Sequence, residues 1–209
     1  MYREPPHENR IYRTICTKRT VASMIAHLRR WLPRQLQMIW ACMSSPCTSI
    51  YIPVYASTTR IPSTYTHGVG GRDFKNYDSE SAWWVFKKLQ VLVDENYSYR
   101  QPIVRREWDK LFNQILMEID EIESKVLRLI RNNKHDEAQA IIDKFVEEKL
   151  MKAYQKAQEL IELLSKETIQ PEKPVQQLPH LAMLLAKFTA SSFLLIILLR
   201  LRKNLANEI

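Results

Sequence analysis

The sequence predicts an α+β protein, and three observations predict it. Two runs rich in Ile, Val, Tyr and Trp, 37–44 and 48–56, flank Ser45-Pro46-Cys47, a stretch with turn chemistry. From Ser79 onward the apolar residues switch to i, i+3, i+4 spacing, the period of a helix. Composition divides along the same line: all five Trp lie at or before Trp108 and all three Cys before residue 48, so the chain is not one homogeneous fold. An apolar share of 45% is enough for a globular core.

Taken in order, residues 1–12 are polar and Pro-containing and read as a lead-in. With no apolar run behind their basic residues they do not make a targeting peptide. Residues 14–27 fit two patterns, because Val21, Met24, Ile25 and Leu28 also fall on one helical face. The runs 37–44 and 48–56 form a β-hairpin, with Pro53 placed on an edge or at a bulge because it has no N–H to donate. Gly68-Val69-Gly70-Gly71 lacks the Lys-Ser/Thr of a phosphate loop and reads as a turn, with His67 exposed beside it. Ser79 is the expected cap of a helix carrying Ala82, Trp83, Phe86, Leu89 and Val93. A longer helix from near Arg105 carries Trp108, Phe112, Ile115, Ile119, Ile122, Val126 and Leu129. Asn132-Asn133 interrupts it, and Asp136 starts a third helix with Ala138, Ile141, Phe145, Leu150, Tyr154, Ala157, Ile161 and Leu164. The last two make an antiparallel αα-hairpin over 105–168 that packs on the β-rich part, 1–104, and buries Trp108.

Three prolines in 169–180 define a semi-rigid linker. Behind it, 181–199 holds nineteen residues with one charge, Lys187. As a helix it spans about 28 Å, close to a bilayer core, and its insertion sum is marginally favourable. Arg200, Arg202 and Lys203 follow directly. By the positive-inside rule this makes 181–203 a transmembrane helix and the chain a single-pass membrane protein, with 1–180 outside the cytoplasm. The alternative is a cytoplasmic soluble chain whose final helix packs on the domain or on a partner.

The net charge of +8 is concentrated in 1–104, with 14 Lys/Arg against 7 Asp/Glu. The arginines are scattered through strand-like runs rather than clustered, which argues against a nucleic-acid partner. Cys16, Cys42 and Cys47 lack zinc-ligand spacing, so no metal is expected, and no cofactor motif is present. The thiols read as buried small hydrophobes, with a Cys42–Cys47 bridge across the turn as the alternative. There is no Gly-x-Ser-x-Gly and no His-Glu-x-x-His, and no residue is assigned a catalytic role.

One succession is more specific. Arg-Thr-Ile-Cys at 13–16, Arg-Arg-Trp-Leu-Pro at 29–33, Ile-Trp-Ala at 39–41 and Ser-Ile-Tyr-Ile-Pro-Val-Tyr at 49–55 follow one another in order. Together they resemble the C-terminal half of the dipeptidase A and secernin family, N-terminal-nucleophile cysteine hydrolases. Arg13, Ser23, Trp31, Leu32, Pro33, Trp40, Pro53 and Tyr55 take matching positions, and the likeness continues through Pro62, Ser81 and Trp83 over about residues 10–100. Cys16 departs from the pattern, where Pro or Ser is frequent.

The resemblance implies a partial αββα sandwich of the N-terminal-nucleophile type, a strand rather than a helix over 14–27, and hydrolysis of peptide or related amide bonds. In such enzymes an N-terminal Cys thiolate attacks the carbonyl while its own α-amine moves the proton. That nucleophile lies upstream of the pattern in the family, so this chain is expected to be inactive without an N-terminal half or a partner chain that supplies it. An interior Cys16 has no free α-amine to serve as base. The resemblance assigns Arg13 to the substrate carboxylate, with a structural salt bridge as the alternative. Ser23 either faces the pocket or bonds a neighbouring strand. The other class is a non-enzymatic, membrane-anchored interaction module built on the same scaffold.

Overall fold

A computed structural model describes residues 16–67 and 77–166 of the 209-residue chain. Three antiparallel strands come first: β1 (Ala22–His27), β2 (Met38–Met43) and β3 (Ile52–Tyr55), in the spatial order β1-β2-β3. Four helices follow: α1 (Ser63–Thr66), α2 (Ala82–Glu95), α3 (Tyr97–Arg131) and α4 (His135–Lys166). A small antiparallel sheet with helices after it is the α+β class expected.

The β2–β3 hairpin forms where the two apolar runs predict it, with Met38 opposite Tyr55 and Trp40 opposite Pro53. Pro53 is tolerated because β3 is an edge strand with β2 as its partner in the sheet. Residues 22–27 resolve as strand rather than helix. Their connection to β2 is held by Gln37, whose amide accepts from the Arg29 N–H and donates to the Arg29 and Leu32 carbonyls. That side chain replaces the backbone bonds that an irregular loop cannot make for itself.

The helices begin and end for local reasons. Ser81, not Ser79, precedes the first turn of α2, and its carbonyl accepts from the Val85 N–H at 3.1 Å. The apolar period starts at Ala82, so the boundary follows the nearer serine. α3 begins at Tyr97, eight residues before the expected start, and Pro102 lies inside it. The sequence around that proline has no apolar stripe, so the first turns are fixed by contacts instead. Arg100, buried, reaches back to the Leu92 carbonyl at 2.5 Å and to Glu95 at 2.7 Å, which satisfies the carboxyl end of α2. At the far end of α3, Asn133 adopts φ of 58°. The Lys134 N–H then bonds Leu129 O at 2.9 Å and the Asn133 N–H bonds Ile130 O at 3.0 Å. This is the Schellman pattern, in which a left-handed residue closes the helix, and asparagine tolerates that region better than most side chains.

The core joins hairpin and helices. Trp108 is fully buried, stacks on Phe86 with ring centroids 5.9 Å apart, and donates its indole N–H to Thr48 O at 3.0 Å. Trp40 meets Phe112 of α3 at 5.5 Å, and Tyr55 meets Phe145 of α4 at 6.2 Å. These contacts put α3 and α4 on one face of the sheet, the face that the register assigns to Ser23, Ile25, His27, Met38, Trp40, Cys42, Pro53 and Tyr55. Alternation sends Ala22, Met24, Ala26, Ile39, Ala41, Met43 and Val54 to the opposite face. All seven are apolar, and all are exposed or half-buried, Met24 at 71%. Ile52 shares that face by register, but it lies at the end of β3 and is buried.

The expected single-pass membrane placement is corrected. Among the described residues no helix is long and apolar enough to cross a membrane. α3 and α4 have the length, at 35 and 32 residues, but each carries a charged face along one apolar stripe. The expected span, 181–199, lies outside the described residues, as do Arg13, the glycine turn at 68–71 and the linker at 169–180.

Candidate functional site

The chemically distinctive side chains gather where the start of β1 meets the turn between β2 and β3. Ser23 stands opposite Cys42 in the ladder and shares a 2.9 Å hydrogen bond with the Tyr51 hydroxyl. Burial pushes the Cys42 thiol up, and the nearby Ser49 and Ser23 hydroxyls offset part of that rise. Cys47 lies on the turn with its sulfur 3.0 Å from that of Cys16. Its thiol is pushed up by that contact first and by burial second. Tyr97, at the start of α3, is raised by burial and by the neighbouring Cys47. Cys42 and Cys47 are therefore held as thiols at neutral pH, the opposite of an activated nucleophile.

The imidazole on this face, His27, lies four positions further along β1 than Ser23, about 13 Å by strand rise. That is beyond hydrogen-bond reach of Cys42. Burial lowers its pKa, the Arg29 charge lowers it further, and Glu123 acts in the opposite direction. Such a histidine is a neutral neighbour of a buried ion pair, not the base of a nearby thiol.

That ion pair is the largest feature the sequence did not disclose. Arg29 meets Glu123 of α3 through both nitrogens, each at 2.7 Å, and also donates to Leu36 O at 2.6 Å. The Tyr55 hydroxyl donates to the same carboxylate at 3.0 Å, and its own ionisation is suppressed by burial and by the Glu123 charge. A bidentate pair of this kind fixes orientation as well as energy. Here it locks the loop after β1, the end of β3 and the middle of α3 to one another. A second tie joins the loop after β3 to α4: Asp143 accepts from the Thr59 N–H at 2.7 Å, the Thr59 hydroxyl at 2.6 Å and the Arg60 N–H at 3.3 Å. Burial raises the Asp143 pKa, but these bonds outweigh it and the net shift is downward.

Away from the sheet, His67, Asp78 and Glu80 bring one ligand atom each within 4.8 Å of one another. His67 Nε2 lies 2.7 Å from Asp78 Oδ2, and the Glu80 N–H and His67 together hold the Asp78 carboxyl below its usual range. The group is mostly exposed, and its hydrogen bonds account for the arrangement without an ion.

Of the two residues the resemblance assigned to substrate, Ser23 is on the helix-side face with Tyr51 as partner, and Arg13 lies outside the described residues. The sequence offered no local signal for Arg29 and Glu123, which are 94 residues apart. The three cysteines are free, as the reading of small buried thiols expects; the alternative Cys42–Cys47 bridge is not formed, and Cys47 has Cys16 beside it instead.

An antiparallel sheet backed by helices on one face carries serine, tyrosine and cysteine side chains at one end. The sequence model of peptidase family C69 matches residues 2–110, more than half of the chain, and the protein belongs to that family. No curated protein matches the chain.

Proposed function

We propose that this chain is the C-terminal portion of a dipeptidase-like cysteine hydrolase and that its open sheet face receives a second, nucleophile-bearing sheet. Membership of the C69 family supports peptide or amide hydrolysis as the reaction class. The single observation that carries the rest is the apolar patch of Ala22, Met24, Ala26, Ile39 and Ala41, exposed or half-buried on the face away from α3 and α4, at whose margin Met43 and Val54 already pack against the core. A sheet apolar on both faces needs a layer on each, and face-to-face sheets pack about 10 Å apart. That arrangement is the αββα sandwich of which β1–β3 and the helices would be one half.

In this reading the nucleophile is an N-terminal Cys on the second sheet, with its own α-amine as base, supplied by an N-terminal half or a partner chain. The present chain contributes the wall behind it. Arg13 pairs with the substrate carboxylate through its guanidinium fork, whereas Ser23, on the helix-side face and bonded to Tyr51, ties its strand to a neighbouring segment. Among the described residues Cys42 and Cys47 are held as protonated thiols, which supports a chain inactive by itself.

The test is complementation. The chain, purified alone, is assayed for dipeptide hydrolysis and then again after mixing with an N-terminal segment of a C69 peptidase that begins with Cys. Turnover is expected in the mixture, lost when that Cys is replaced by Ser. Turnover by the chain alone, abolished by Cys16→Ser, would overturn the proposal. A stable complex without turnover would favour a non-enzymatic interaction module.

A further inference from the structure

We infer that Cys16 and Cys47 are a dithiol site that closes to a reversible disulfide with a low-molecular-weight disulfide as oxidant. The inference is independent of the hydrolase reading and concerns a modification of the chain itself. Their sulfurs are 3.0 Å apart, so about 1 Å of closure reaches a bond of roughly 2.05 Å.

The closeness is built by other contacts on both sides. The Thr17 N–H donates to Thr20 Oγ1 at 2.9 Å, which turns the chain just after Cys16. The Ser45 hydroxyl donates to Thr17 O at 2.8 Å, and the Ser44 N–H donates to Val21 O at 2.8 Å, pinning the entry to β1 on the β2–β3 turn. On the other side, Thr48 N–H bonds Ser45 O at 3.1 Å and the Gln101 amide donates to Cys47 O at 3.3 Å, so Cys47 is fixed to α3 as well. Accessibility separates the three thiols. Cys16 and Cys47 are half-buried, within reach of a small oxidant, whereas Cys42 is 2% exposed on the helix side of the sheet.

The chemistry is thiol–disulfide exchange. The Cys16 thiolate attacks one sulfur of oxidised glutathione, its S–S bond breaks, and one glutathione thiolate leaves. Once Cys16 is capped, Cys47 gives up its proton to solvent and attacks the Cys16 sulfur of the mixed disulfide; the Cys16–Cys47 bond forms and the second glutathione leaves as a thiolate that takes up a proton. The protein loses two electrons and two protons, and the oxidant is reduced to two glutathiones. The bridge closes a loop that contains β1, its connection and β2. Closing that loop lowers the entropy of the unfolded chain.

The experiment uses the full chain, incubated with oxidised glutathione, alkylated under non-reducing conditions and mapped by mass spectrometry. The expected result is a peptide pair linked through Cys16 and Cys47, Cys42 alkylated only after denaturation, and a melting temperature that rises on oxidation and falls back with dithiothreitol. Cys42→Ser should leave the link intact, and Cys47→Ser should leave Cys16 carrying glutathione. Separate glutathione adducts on Cys16 and Cys47 in the native chain, a link through Cys42, or thiols that stay unmodified would overturn the inference. The wild-type map alone decides among these, whatever the variants do to folding.

Discussion

Met38 and Met24 belong to one three-stranded sheet and face opposite ways. Met38 is 2% exposed, beneath the helices and opposite Tyr55, whereas Met24 is 71% exposed on the edge strand. The helix side is finished over β2 and β3, where two aromatic pairs cross to α3 and α4 and the buried Arg29 is matched by Glu123, while Ile25 of β1 stays 48% exposed on it. The other side is apolar but only partly covered: Met24 and Ala26 are exposed, while Met43 and Val54 pack against the core and Ile52 is buried. The difference shows that amino-acid content records what a surface is for, while exposure in one chain records what has met it.

The largest expected effect lies on the finished side. Glu123→Ala strands the Arg29 charge and the Tyr55 hydroxyl in a buried site and should cost about 3–5 kcal/mol, read as a lower urea midpoint. Met24→Lys on the open side should change the stability of the chain alone by less than about 0.5 kcal/mol. Equal losses from the two would erase the contrast between the faces.

A second effect concerns association. β1 is an edge strand with apolar side chains on both faces, Val21, Met24, Ile25 and Leu28 being 60%, 71%, 48% and 74% exposed. Such an edge invites pairing with another copy. The chain alone should self-associate in sedimentation, and Met24→Lys should shift it toward monomer. A wild-type chain that stays monomeric at high concentration would count against an unfinished surface.

How much of this was legible follows from range. The hairpin and the long helices were, because periodicity and the Ser45-Pro46-Cys47 and Asn132-Asn133 breaks act within a few residues. β1 was ambiguous for a physical reason: an edge strand apolar on both faces has no alternation, so Val21, Met24, Ile25 and Leu28 mimic a helix stripe. The start of α3 was misplaced because Arg100, not an apolar stripe, holds its first turns. The Arg29–Glu123 pair and the meeting of Cys16 with Cys47 depend on residues far apart in sequence, where spacing carries no signal. The family likeness reached the right relatives because motif order survives where geometry cannot be read.

Acid titration sharpens the account of the finished side. The Asp143 carboxyl has a lowered pKa in the fold, so its contribution is fully present above the ordinary Asp range, near 4, and is lost as pH falls through the lower folded value. Asp143→Asn should lower stability at neutral pH and flatten the loss below about pH 4. An unchanged acid slope would remove Asp143 from the explanation. A separate effect, on catalysis rather than stability, is expected at Arg13: in the complemented enzyme Arg13→Ala should raise KM for a dipeptide about tenfold or more with less change in kcat, and a dipeptide amide should be insensitive to the change.

The central claim, that the open face is where the nucleophile-bearing sheet packs, is tested most directly by methionine footprinting with hydrogen peroxide during complementation. In the chain alone Met24 should oxidise quickly and Met38 slowly. On adding the Cys-bearing segment, Met24 should become protected in step with the onset of dipeptide hydrolysis, with Met38 unchanged. Hydrolysis that appears while Met24 remains as reactive as before would contradict the account.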